Sequence, residues 1–354
     1  MSRCYSSKKF LRESPGMKKA PPASRRKPSR ASSHSSTAFR TQRKTIEATP
    51  AKEVVSRSLL DIESLSASEI ESILDLTRQL DARSRENLSG ELNYKRIALL
   101  FYEASTRTRV SFEFAAKALG ATTSVITATA SSIEKGESLI DTGYTLQAHG
   151  SDCIVIRHPS SGAPHILARH LNIPVVNAGD GMHEHPTQAL LDAYTMLERK
   201  QRLDGLKVLI VGDILHSRVA RSNTHLLTKM GAQVTLCGPE PLLPELASTL
   251  APGVQEIRDF DRALQDADVI MLLRVQKERL EGLQLNIDDY IRNYQLTVER
   301  LRFAKPDAIV MHPGPMIRGM EIVSEVADSP RALIQNQVRN GVSVRMAVLL
   351  RALK

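Results

Sequence analysis

Apolar and polar positions alternate in blocks along this chain, and the blocks follow two different periods. Residues 96–101, Arg-Ile-Ala-Leu-Leu-Phe, form a short apolar run of the kind a buried strand leaves. After them Val110, Phe114 and Ala118 recur at helical spacing, with Ala115 and Leu119 beside them, and Gly120 supplies a stop. Upstream, Ile70, Ile73, Leu74, Leu76 and Leu80 predict an amphipathic helix over 66–84, opened by Ser66 or Ser68. Downstream the same alternation predicts strands at 122–127, 152–157 and 173–177. Helices are predicted from the loop at 131–137 to about His149, and over 162–171 and 186–200.

At 198–205 the chain turns charged and breaks, which reads as a hinge. A second series follows, with strands at 206–211, 233–237, 268–273 and 308–311 and a helix near 218–230. Residues 330–354 read as one or two helices. This rhythm predicts an α/β protein of two doubly wound domains with mostly parallel sheets and a ligand crevice between them. The divisions fall at 1–56 (tail), 57–197 (first domain) and 198–329 (second domain).

Charge changes the picture only at the N-terminus. Of the 354 residues, the first 57 carry 15 Lys/Arg and 3 Asp/Glu, leaving 33 and 36 for the rest. The folded part is therefore near neutral, and its overall charge gives no reason to expect nucleic-acid binding. The Ser-, Pro- and Arg-rich tail has the composition of disorder. It reads as a solvated arm or an artefact of an upstream start (Met17 is a second candidate start), and in second place as an organelle-targeting segment. Otherwise a cytoplasmic location is expected. No apolar stretch is long enough to cross a bilayer. Cys4, Cys153 and Cys237 are scattered without metal-type spacing, so no structural metal and no disulfide framework is expected.

Candidate chemistry falls just past the C-terminal ends of predicted strands, where open α/β sheets bind ligands. Ser105-Thr-Arg-Thr-Arg109 opens a helix, and free N–H groups with two guanidiniums there suit a phosphate. Arg157-His158, the loop 179–188, Gly212–Arg218, Arg274-Val-Gln276 and His312-Pro-Gly-Pro315 follow other strands. Pro186 at a first helical position puts His185 at the N-cap. His185 then either caps the helix or, as a neutral imidazole, donates to a carbonyl. Arg218 and Arg274 suit carboxylates. His183 and His185 lack zinc-protease spacing, so no metal is expected, and Gly-x-Gly-x-x-Gly and Gly-x-Ser-x-Gly are absent.

Taken together, these motifs resemble the aspartate carbamoyltransferase family, within the aspartate/ornithine carbamoyltransferase superfamily. The matching pieces are Phe-Tyr-Glu-Ala-Ser-Thr-Arg-Thr-Arg-Val-Ser-Phe-Glu (101–113), Ser-Ser-Ile-Glu-Lys-Gly-Glu-Ser (131–138), Ile-Arg-His-Pro (156–159), His-Pro-Thr-Gln (185–188), Gly-Asp-Ile-Leu-His-Ser-Arg-Val-Ala-Arg-Ser (212–222), Arg-Val-Gln-Lys-Glu-Arg (274–279) and His-Pro-Gly-Pro (312–315). They stand in the family's order from about residue 56 to the end.

The resemblance implies carbamoyl transfer to aspartate with no cofactor, the alternative being ornithine or another amino acid. It implies that Arg107, Thr108, Arg157, His185 and Gln188 hold carbamoyl phosphate. Ser105 and Thr106 would help with the phosphate, and the backbone of Gly314 and Pro315 would meet the carbamoyl group. Arg107, Thr108 and His185 would be catalytic. Lys135, Arg218, Arg274 and Gln276 would bind aspartate. It further implies a homotrimer in which the loop with Lys135, and Ser131 or Ser132, enters a neighbour's site. The C-terminal helix would complete the carbamoyl phosphate domain, and regulatory or dihydroorotase-like partner chains are possible company. Ornithine-specific relatives carry Ser-Met-Gly and a Cys in the His-Cys-Leu-Pro position. Neither is present here, and Arg-Val-Gln276 favours a dicarboxylate. Where the enteric family member has Leu, this chain has Gly314.

Overall fold

The computed structural model describes residues 56–84, 87–127, 136–275 and 286–354. Four apolar runs become β1 (Arg96–Phe101), β2 (Thr122–Thr127), β3 (Cys153–His158) and β4 (Val175–Asp180). They pair in parallel in the order β2-β1-β3-β4. Central β1 is buried from Ile97 to Phe101, as a parallel strand covered on both faces must be. Edge strand β2 is Thr- and Ser-rich and partly exposed. With this sheet run α1 (Ala67–Asp81), α2 (Thr106–Ala118), α3 (Leu139–Ala148), α4 (Ala163–His170) and α5 (Pro186–Lys200). Ser66, rather than Ser68, caps α1 in a reciprocal box with Glu69.

The second sheet is also parallel: β5 (Lys207–Val211), β6 (Gln233–Cys237), β7 (Gln255–Glu256), β8 (Val269–Leu272) and β9 (Ile309–Met311), in the order β7-β6-β5-β8-β9. Its helices are α6 (Arg218–Lys229), α7 (Phe260–Ala263), α8 (Ile287–Tyr294) and α9 (Ser324–Ala327). One long helix, α10 (Ile334–Leu353), closes the chain and packs against α1, α2 and α5. In each sheet the strand order reverses once, between β1 and β3 and between β5 and β8. Crevices at such reversals are where doubly wound sheets take ligands.

Three local features lay beyond periodicity. β4 runs on to Asp180 and is buried throughout. Leu59 adds to its edge, accepting from Asn177 N at 2.8 Å and donating to Val175 O at 3.0 Å. β7 has two residues, too few to show a period, and α8 is an unexpected amphipathic turn capped by Asn286. Cys153 and Cys237 are buried free thiols, each pushed up to about 12 by burial first and a nearby Asp second. Cys4 lies outside the described residues. Among the described residues, no helix is long and apolar enough to cross a membrane.

Candidate active site

The chain turns from β1 into α2 at Ser105, whose extended backbone (φ −157°) makes it the N-cap although its side chain forms no cap bond. No acidic residue stands in the first turn of α2. The N–H groups there face the cleft without a competing anion from their own helix. Ser105, Thr106, Arg107 and Thr108 all line the cleft. Ser111 Oγ lies 2.8 Å from Arg107 O and 3.1 Å from Thr108 O, which braces this turn. Arg109 behaves differently: it reaches one turn further along α2 to Glu113 at 3.9 Å and does not line the cleft. One arginine of this turn faces the site, not two.

The loop after β9 presses against Arg107. Gly314 has φ +71°, and a Cβ built there would sit 2.2 Å from Arg107 Nη1. His312 is buried, and its Nδ1 accepts from Gly314 N at 2.8 Å. His312 N donates in turn to Gln337 Oε1 at 2.9 Å. Gly314 and Pro315, joined by a cis peptide, both line the cleft.

The cleft floor is a buried polar network. His185 is 4 % exposed, and its backbone N donates to Ser222 Oγ at 2.8 Å. The side chain makes no cap bond, and Nδ1 is buried without a partner among the described residues. Burial first, then the charges of Arg157, Arg218 and Arg345, hold this imidazole well below the usual histidine range. It is a neutral ring by position. Of the two sequence-level readings of His185, the helix cap is therefore not the one its side chain adopts.

One turn along α5 from Gln188, Asp192 is fully buried. It accepts from Gln188 Nε2 at 2.9 Å, Gln337 Nε2 at 2.7 Å and Asn223 Nδ2 at 2.9 Å. These donors come from α5, α10 and α6, so one carboxylate joins both domains beneath the site. Burial nevertheless raises it to about 6, against the pull of these three bonds and the Arg345 charge. Arg345 is buried too, lies over the Phe112 ring at 5.1 Å, and is pushed down to about 9 by desolvation.

Across the cleft, Arg157 Nε and Arg218 Nη2 both bond Glu103 Oε2, at 3.1 and 2.7 Å. Burial first, then Arg218, lowers Arg157 to about 10, with Glu103 opposing. Arg274 lines the cleft as an exposed side chain. The whole cleft holds about 690 Å³. Of the residues to which the family resemblance gave a role, eleven line it: Ser105, Thr106, Arg107, Thr108, Arg157, His185, Gln188, Arg218, Arg274, Gly314 and Pro315. Lys135, Gln276, Ser131 and Ser132 lie outside the described residues. His183 does not pair with His185; it turns to Asp180, at 3.1 Å.

Sequence reasoning passed over Glu103, Asp192, Gln337 and Arg345. For two of them a signal existed. Glu103 sits inside the 101–113 motif, and Asp192 is four residues from Gln188 on a helix, where side chains meet. Gln337 and Arg345 come from the far end of the chain, and nothing local marks them. With Arg107, Arg157, Arg218, Arg274 and Arg345 on its walls, the cleft is built for polyanions.

Comparison with known proteins agrees with this geometry. Residues 57–198 match the carbamoyl-P binding domain of aspartate/ornithine carbamoyltransferases, and residues 204–352 match their Asp/Orn binding domain. The chain is 61% identical over 293 residues to the aspartate carbamoyltransferase catalytic subunit of Koribacter versatilis, covering 83% of this chain and 96% of the relative. The corresponding subunit of Solibacter usitatus is 57% identical over 293 residues, covering 82% and 97%. Among solved structures, aspartate transcarbamoylase from Trypanosoma cruzi with carbamoyl aspartate and phosphate superposes with a TM-score of 0.78 at 32% identity, covering 87% of this chain and 99% of that one. Ornithine carbamoyltransferase from Pyrococcus furiosus gives 0.76 at 31% identity, covering 84% and 96%.

Proposed function

The chain belongs to the aspartate/ornithine carbamoyltransferase family, and we propose that its cleft transfers the carbamoyl group of carbamoyl phosphate to the α-amino group of L-aspartate. The products are N-carbamoyl-L-aspartate, an intermediate on the way to pyrimidines, and phosphate. The observation that carries the reading is the pairing of an open helix N-terminus with a neutral, buried His185 on the same cleft. One suits the departing phosphate and the other a carbonyl becoming an oxyanion.

In this reading the phosphate lies on the first turn of α2, against Ser105, Thr106, Arg107 and Thr108, with Arg157 beside it. The carbamoyl oxygen takes hydrogen bonds from His185, Thr108 and Arg107. Gln188 gives its Nε2 to Asp192, which leaves its carbonyl oxygen to accept from the carbamoyl NH2. The carbonyl oxygens of the Gly314 loop do the same. Aspartate's carboxylates take Arg218 and Arg274. Its amino nitrogen attacks the carbonyl carbon, the C–N bond forms, the C–O bond to phosphate breaks, and the proton lost from nitrogen passes to phosphate. Holding both reactants in line contributes up to ~7–11 kcal/mol in well-aligned intramolecular models.

Several finer points belong to the same proposal. Lys135 and Gln276 complete the aspartate site, with Lys135 reaching in from a neighbouring chain of a homotrimer. The chain divides functionally at 197/198, with 330–354 serving the first domain, and works in the cytoplasm. Mixed trimers of Lys135→Ala and His185→Ala chains would then recover part of the activity that each homotrimer lacks. The main test is product analysis with carbamoyl phosphate and either aspartate or ornithine. N-carbamoyl-L-aspartate and phosphate are expected, and equal or faster carbamoylation of ornithine overturns the assignment.

A further inference from the structure

Outside the lining of the cleft, next to the loop that leads to His185, three side chains converge that have no part in the proposed transfer. A ring nitrogen of His165 (third residue of α4), a carboxylate oxygen of Asp180 (the end of β4) and a ring nitrogen of His183 lie within 4.8 Å of one another. Two imidazoles and a carboxylate are the donor set that zinc and its first-row neighbours take from proteins. The two rings meet edge-on with centroids 5.6 Å apart. Imidazoles sharing one zinc at about 2.1 Å, at a roughly tetrahedral angle, bring their centroids to about 5 Å.

A second, independent observation concerns His165. Its Nε2 lies 2.8 Å from Asp61 Oδ2. As the donor in that bond, it leaves Nδ1 with a bare lone pair, and Nδ1 is buried with no partner among the described residues. A carboxylate holding the far nitrogen of an imidazole is the usual second shell of a metal-bound histidine. Asp180 is fixed just as firmly, accepting from Asn177 Nδ2 at 2.8 Å, Gly162 N at 2.7 Å and Glu184 N at 3.2 Å. The carboxylates of Asp61, Asp180 and Glu184 all act on His183, so the surroundings favour a cation. His165 and His183 side chains are 28% and 33% exposed, which leaves a way in from solvent.

We propose that His165, Asp180 and His183 form a binding site for a first-row divalent cation of zinc type, with water completing its shell. Spacing along the chain does not mark this site, because only His183 and His185 stand close together there and His165 joins Asp180 and His183 only in the fold. The bound ion ties α4 to the end of β4 and to the 180–184 turn, two residues before His185. It acts as a clamp on the loop that carries the catalytic imidazole. It touches neither substrate, and its existence does not depend on the reaction assigned above.

The test is calorimetric titration of the chelator-stripped full chain with ZnCl2, and absorption spectroscopy with CoCl2. The wild type should take up one tight ion per chain, melt at higher temperature with zinc, and give the visible bands of low-coordinate cobalt. His165→Gln, which keeps an amide to bond Asp61, should bind at least tenfold more weakly and lose the zinc-dependent rise in melting temperature. Asp61→Asn should weaken binding about 10–100-fold, the usual cost of losing a second-shell partner. His165→Gln paired with His183→Asn should abolish the site; if that double variant does not fold, the single substitutions carry the test. A wild type that binds no zinc, or variants that bind the same number of ions equally tightly, overturns the proposal. Either result leaves the aspartate product assay untouched.

Discussion

On the first-domain wall of the cleft, His185, Gln188 and Asp192 are buried and tied into a network that reaches α6 and α10. On the second-domain wall, Arg274 is exposed and Arg218 spends a guanidinium nitrogen on Glu103 across the cleft. The first wall is set before any ligand arrives. Its side chains are buried and held in place, and preorganised groups out of water are the ones whose electrostatic stabilisation of a transition state is strongest. The second wall is provisional. A substrate carboxylate reaching Arg218 competes with Glu103 for the same guanidinium, so binding there exchanges one ion pair for another. Under the proposed assignment, stabilising the reacting group would be the work of the preset wall, and selecting the second substrate that of the adjustable one. Domain closure on the second substrate fits such a division.

The comparison breaks most sharply at His185. His185→Ala should lower turnover roughly 10²–10³-fold, the scale for losing one oxyanion donor, while the melting temperature stays close to wild type because the side chain makes no cap bond. Steady-state kinetics with a thermal melt checks both; unchanged turnover in a folded variant removes His185 from the chemistry. On the opposite wall, Arg218→Ala should reduce kcat/KM for aspartate by about 10–100-fold, the worth of one charged hydrogen bond. The change should fall mainly on the aspartate KM, and a loss confined to carbamoyl phosphate binding would contradict the division of labour between the walls.

Asp192 sharpens the comparison from below. Asp192→Asn keeps one acceptor oxygen for Gln188 and Gln337, which share Oδ1, but turns an NH2 towards Asn223 Nδ2, which bonds Oδ2 in the wild type, so two donors face each other in the buried network. KM for carbamoyl phosphate should rise about tenfold, in line with an unsatisfied buried partner. In the wild type the same KM should rise below about pH 6, as Asp192 takes up a proton, and Asp192→Asn should flatten that limb. The stability effect has the opposite sign. The folded group titrates above its ordinary 3.8, so its contribution to stability is full below that value and fades as pH rises through about 6. An acid limb that persists unchanged in the variant assigns it to another group. The smallest effect is expected at Gly314→Ala. Its Cβ would press on Arg107, and φ +71° strains any side chain by about 1–2 kcal/mol. A few-fold rise in KM for carbamoyl phosphate and a modest drop in melting temperature should follow.

Much of this molecule is local, and local order is what periodicity records. Residues 96–101, 122–127, 186–200 and 233–237 form the expected elements end to end, because a strand buried on both faces and a helix with one apolar stripe leave different marks on neighbouring residues. The rim was legible for the same reason: Arg107, His185, Arg218, Arg274 and Gly314 follow strands and Arg157 stands next to last in β3, and a parallel α/β rhythm already dictates that those ends share one edge. What periodicity cannot register is which distant side chains share a partner. Arg109 faces Glu113 while Arg107 faces Gly314, a difference of helical phase at the end of a strand. Glu103 meets Arg218 across 115 residues, and Asp192 meets Gln337 across 145. His165, Asp180 and His183 converge only when α4 is laid beside the end of β4. A buried charge is tolerable only with its partners in place, and those partners are brought by the packing of α6 and α10 against α5, which no stretch of the chain specifies alone.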